Sequence, residues 1–149
     1  MPTPVVEQVL AAVEARLAAI TGFPGLLVER NRDAEVDRFP TLLLIDGDQD
    51  RIGDETMGYR RVMLEFMVEG YVSANLQSGL GPARNALYAA VVAALMADPT
   101  LGGLAVDLHE GRTSRALGTG DGQTPAAAFA TIYELEFWTR EADPYSLGP

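Results

Sequence analysis

Residues 59–72, YRRVMLEFMVEGYV, alternate in character along their whole length. Val62, Leu64, Phe66, Val68, Gly70 and Val72 fall on one side of a pleated strand, and Arg61, Met63, Glu65, Met67, Glu69 and Tyr71 on the other. The first set is fit for a core and the second is amphipathic. A strand of this length spans about 45 Å at ~3.3 Å per residue. It therefore bends at Gly70 or projects as a hairpin arm, and projection implies a partner.

Working outward, TLLLID (41–46) reads as a strand apolar on both faces and so central to a sheet. LLVER (26–30) reads as a short strand before the charged connection NRDAEVDR, and residues 47–57 read as an acidic turn. Towards the N-terminus, Val6, Val9, Leu10, Val13, Leu17 and Ile20 recur at helical spacing. Thr3 is the expected N-cap, Pro4 the first helical residue, and Gly22 with Pro24 the stop. Beyond the long strand, GPARNALYAAVVAALMADP (81–99) predicts a second helix with Leu87, Val91, Ala94 and Leu95 on one face. Residues 103–113 and 126–140 alternate as two more strands, joined by a loop over 114–125. The expected fold is α+β in the order α-β-β-β-α-β-β: one mixed, mainly antiparallel sheet of about five strands with two helices packed on one face, forming a single domain over residues 1–149.

Composition narrows the function. The chain has no cysteine, which removes disulfides, thiolate nucleophiles and cysteine zinc sites. Its net charge is −10, and all 11 basic residues are arginines scattered along the chain, so sequence-specific nucleic-acid binding is not expected. No run is apolar enough for a membrane span, and the start MPTPVVEQVL lacks the pattern of a signal peptide. A cytoplasmic protein, or one carried into a larger assembly, is expected.

The catalytic candidates are weak. Asp46 and Asp48 after an apolar strand suggest a haloacid-dehalogenase-like phosphatase, but the chain has no lysine to neutralise a transferring phosphoryl group and the next element reads as a hairpin return. Asp46, Asp48 and Asp50 match the first positions of a calcium loop, yet Arg51 stands where that loop needs glycine and Met57 where it needs glutamate. LGTGDGQT (117–124) lacks the lysine of a P-loop and the following helix of a dinucleotide site. His109 is the sole histidine, and no G-x-S-x-G elbow exists. The expectation is a non-enzyme without metal or cofactor. Trp138, Tyr133 and Phe137 read as sheet packing, and Met57, Met63, Met67 and Tyr71 as either an association surface or a face covered by the chain's own helix.

Four phrases, RFPTLLLIDG (38–47), VMLEFMVEGYV (62–72), DPTLGGLAVDL (98–108) and FATIYELEFWTREADP (129–144), together with the element order, resemble the tail terminator or tail-completion proteins of long-tailed bacteriophages and gene-transfer particles. The resemblance implies a structural protein in a hexameric ring at the head-proximal end of the tail tube. Such a ring stops tube growth and presents a surface to the neck, while DNA passes through its lumen without specific binding. The implied partners are further copies of the chain, the tail tube protein and a neck or head-completion protein. The implied place is the tail–neck junction of a virion assembled in the host cytoplasm. The alternatives are another head–tail connector and, from a different class, a soluble ligand-binding domain.

A ring needs two unlike surfaces on each subunit. Arg60, Arg61, Met63, Glu65, Met67, Glu69 and Tyr71 are the expected subunit interface, with opposite charges around apolar methionine setting the register. Asp46, Asp48, Asp50, Arg51, Asp54, Glu55, Arg115 and Asp121 are expected on loops facing lumen, tube or neck, where carboxylates keep DNA from adhering.

Overall fold

The computed structural model describes residues 1–33, 35–53, 58–120 and 124–149. Asp54, Glu55, Met57 and Asp121, singled out above, lie outside the described residues. The element order is α1 (Val5–Ala18), β1 (Leu27–Arg30), β2 (Thr41–Arg51), β3 (Tyr59–Ser73), a 3₁₀ turn (Gln77–Gly79), α2 (Leu80–Met96), β4 (Asp107–Gly120), β5 (Thr124–Arg140) and β6 (Asp143–Leu147). The sheet runs β1-β2-β3-β5-β4, with β6 also on β5; β1 is parallel to β2 and the other pairings are antiparallel.

The long alternating strand is the centre of this sheet. β3 pairs with β5 from Tyr59↔Arg140 to Ser73↔Ala126 without a register shift, so it neither breaks at Gly70 nor projects alone. Its odd-even pattern sorts as expected: Val62, Leu64, Phe66, Val68 and Val72 are buried beside Leu42, Leu44, Phe129, Tyr133, Leu135 and Phe137. Phe66 stacks on Tyr133 with ring centroids 5.3 Å apart. Val9, Val13 and Leu17 of α1 and Leu87, Val91 and Leu95 of α2 close the core from this side alone. Each such side chain contributes roughly 1.5–3 kcal/mol relative to exposure.

Several boundaries differ from the sequence expectation. β2 continues through the acidic stretch to Arg51, after a β-bulge between Asp46 and Gln49, because hydrogen bonding to β3 outweighs the turn preference of Asp and Gly. Thus Asp46, Asp48, Asp50 and Arg51 are strand residues and not loop residues. Arg115 likewise sits in a strand, since β4 and β5 form a hairpin through most of the expected 114–125 loop. Residues 103–106 are turn and not strand. Asp98 holds that turn, accepting from the Thr100 hydroxyl at 2.6 Å and the Gly102 amide at 2.8 Å. Pro4, not Thr3, occupies the N-cap position of α1; Val5 is buried, and Gln8 Nε2 donates to the Thr3 carbonyl at 2.8 Å. The short β6 was not expected. No helix among the described residues is long and apolar enough to cross a membrane.

Candidate functional site

Since both helices pack on one side, the other side of the sheet is presented. Across it run Met63 and Glu136, Glu65 and Glu134, Met67 and Ile132, Glu69 and Ala130, Tyr71 and Ala128, each pair directly opposed between β3 and β5. Met63, Met67 and Ile132 are half-buried, whereas Glu65 and Glu134 are exposed. The two exposed glutamates face each other with no ion-pair partner among the described residues, an arrangement that disfavours the isolated sheet. Arg61, Glu69, Glu136, Asp107 and His109 there are partnered. Arg61 Nε donates to Glu136 Oε1 at 2.7 Å and its guanidinium lies 5.6 Å from the Trp138 ring centroid. His109 Nε2 lies 3.2 Å from Asp107. The Tyr71 hydroxyl donates to Glu69 at 2.7 Å, and burial, with that carboxylate, pushes it up to about 12.

Six of the seven expected interface residues therefore share this face: Arg61, Met63, Glu65, Met67, Glu69 and Tyr71. Arg60 does not, because adjacent residues of a strand point to opposite faces; it pairs with the buried Thr139 on the helix side. Sequence reading missed the β5 half of the face, Ile132, Glu134 and Glu136, although the even positions of 126–140 carry the same alternation. Trp138 also belongs to this open face, whereas Tyr133 and Phe137 are core. At the far end, Val36 and Phe39 of the β1–β2 connection meet Tyr71, Leu117 and Ala128 around a mostly apolar hollow of about 250 Å³.

Asp46 stands apart from the other aspartates. Arg30 Nε and Nη2 donate to its carboxylate at 2.9 and 2.7 Å, while Nη1 and Nη2 donate to Glu7 at 2.6 and 2.9 Å. Asn31 Oδ1 accepts from the Asp46 amide at 2.9 Å. Arg30 thereby ties α1 and β2 through β1. Its hydrogen bonds hold the Glu7 and Asp46 carboxyls below their ordinary values. Asp48 and Asp50 are exposed, and Arg51 reaches Glu141 at 2.9 Å.

Two predictions arise here. Arg30→Ala should cost about 1–2 kcal/mol, the scale of charge-assisted bonds reduced for partial exposure, while Asp48→Asn with Asp50→Asn should stay within about 0.5 kcal/mol; urea unfolding measures both. Because the Glu7 and Asp46 pKa values are lowered on folding, the contribution of these groups is complete above the ordinary carboxylate range near pH ~4 and is lost as pH falls through the lower folded values. Arg30→Ala should therefore flatten the fall in stability measured from pH ~5 down to pH ~2.

Among the described residues no group of three or more His, Asp or Glu side chains converges on one point. The geometry defines an α+β protein with one sheet face covered by its helices and the other uncovered by any described helix. No family model matches the sequence, and no curated protein matches it. Among solved structures, a chain of one described as "Virion of native gene transfer agent (GTA) particle" is similar over 89% of this chain and 92% of its own, with a TM-score of 0.35 and 12% sequence identity.

Proposed function

We propose that this chain is a structural virion protein that forms a ring on the head-proximal end of a tail tube, ends tube polymerisation there and offers the docking surface for the neck. Its partners in this reading are further copies of itself, the tail tube protein and a neck or head-completion protein, with DNA passing through the lumen. One observation carries the reading: the central strand presents Met63 and Met67, beside Ile132, on a face that no helix of the chain covers. Apolar side chains framed by charged ones suit a surface buried on association. The four phrases quoted above, spread over most of the chain, support the terminator role in particular.

Particles made without this gene test the proposal by negative-stain electron microscopy. Overlong, headless tails are expected. Tails of normal length that fail to join heads would move the protein into the neck, and normal particles would overturn the reading.

A further inference from the structure

One end of each outer strand carries a pair of like charges: Asp48 and Asp50 on β2, Arg112 and Arg115 on β4. Arg16, Arg30, Arg32, Arg51 and Arg61 are engaged in ion pairs within the chain. Among the described residues Arg84, Arg112 and Arg115 are in none, as are Arg38, Arg60 and Arg140. Arg84 donates to the Ala116 carbonyl at 3.3 Å and Arg115 lies 5.9 Å from the Tyr88 ring centroid, so both flank the same part of β4, with Arg112 three residues away. Glu110, the nearest carboxylate along that strand, accepts the Tyr88 hydroxyl. β4 is an edge strand, and no described strand pairs with its outer side.

At the opposite edge β1 covers β2 only from Thr41 to Leu44, and Asn31 extends the cover to Asp46. Past that point the outer side of β2 is open among the described residues. Asp48 and Asp50 are exposed there and in no ion pair.

Resting on the ring reading above, we infer that neighbouring copies meet edge to edge, the acidic end of β2 in one copy seated on the arginine segment of β4 in the next. These aspartates then belong to the subunit contact and not to the lumen. Direction fits this assignment. Three antiparallel steps separate β2 from β4, and a rotation about a ring axis preserves strand sense, so β2 of one copy meets β4 of the next antiparallel.

Charge also selects the register. Through the partners Met63 and Glu136, Asp50 lies level with Asp107. Strands standing upright along the ring axis would set like charges together, which is destabilising. A slip of about five residues, roughly 16 Å, sets Asp50 level with Arg112 instead, with Arg115 three residues further along on the helix side, opposite Phe129. Closing a sheet around an axis requires such tilt and stagger. β-bulges between Asp46 and Gln49 and between Glu110 and Thr113 interrupt the regular ladder on both edges, so the contact is short and keyed by charge.

Charge reversal tests the contact. An Asp48→Arg/Asp50→Arg protein and an Arg112→Asp/Arg115→Asp protein should each remain monomeric by native mass spectrometry, or assemble only at concentrations raised about tenfold or more. Mixed in equal amounts they should form rings of even subunit number in which the two alternate, and one chain carrying all four changes should assemble alone. Circular dichroism establishes that each variant is folded. Full assembly of either reversed protein alone overturns the inference, as does failure of both the mixture and the fourfold variant as folded monomers. A wild-type chain that never forms rings overturns the ring reading itself, and this contact with it.

Discussion

A Gly70→Val variant should lose about 3 kcal/mol or more of stability, a large fraction of the ~5–15 kcal/mol margin of a folded domain. Gly70 sits in β3 opposite Phe129, whose ring lies across it: a Cβ at Gly70 would overlap the Cε1 and Cζ carbons of that ring. Phe129 is only 2% exposed and meets Tyr88 edge-on at 5.7 Å. The penalty is thus one of space. A close-packed interior has no slack to absorb an added isopropyl group without driving the ring from its position. Removing the ring tests that cause. Gly70→Val combined with Phe129→Ala should be less destabilised than the sum of the two single changes, by 1 kcal/mol or more in a double-mutant cycle. A single Gly70→Val variant within about 0.5 kcal/mol of wild type in urea would show that Phe129 leaves this site at little cost.

A Met67→Glu variant should abolish ring formation while the folded monomer keeps its stability to within about 1 kcal/mol. Met67 is half-buried on the open face, opposite Ile132 and beside Ile45, in a field already occupied by Glu65, Glu69 and Glu134. In the monomer a carboxylate there still reaches water. In an assembled interface it is desolvated among other carboxylates without a cation, a penalty of several kcal/mol. Light scattering reads the size of the assembly and thermal unfolding reads the monomer. Rings of wild-type size from this variant would remove the open face from the subunit contact, whereas the charge reversals at Asp48, Asp50, Arg112 and Arg115 probe the edge contact separately.

What was legible in the sequence was periodic. The alternation over 59–72 and 126–140 specifies two faces because side chains in a strand point to opposite sides by turns, and a single slip would expose the whole core set. The three-and-four spacing in α1 and α2 specifies helices for the same reason. Met63, Glu65, Met67, Glu69 and Tyr71 could be assigned to one face from this rule, which places Arg60 on the other.

What depended on partners was not legible. Local preference makes GDQD and the residues after Thr113 look like turns, yet hydrogen bonding to β3 and β5 draws them into strands. Asp46 looks identical to Asp48 on paper; only the packing of α1 on β1 brings Glu7 and Arg30 to it. Composition and local periodicity specify α1, α2 and the strands β1 to β5, though not β6, together with the two faces of the central strand and the absence of cysteine and lysine chemistry. Long-range contacts decided that β3 lies between β2 and β5, that both helices cover the same side, and that Asp48 and Asp50 end on one edge and Arg112 and Arg115 on the other. Strand order and edge position arise from contacts between residues far apart in the chain, and no local pattern encodes them.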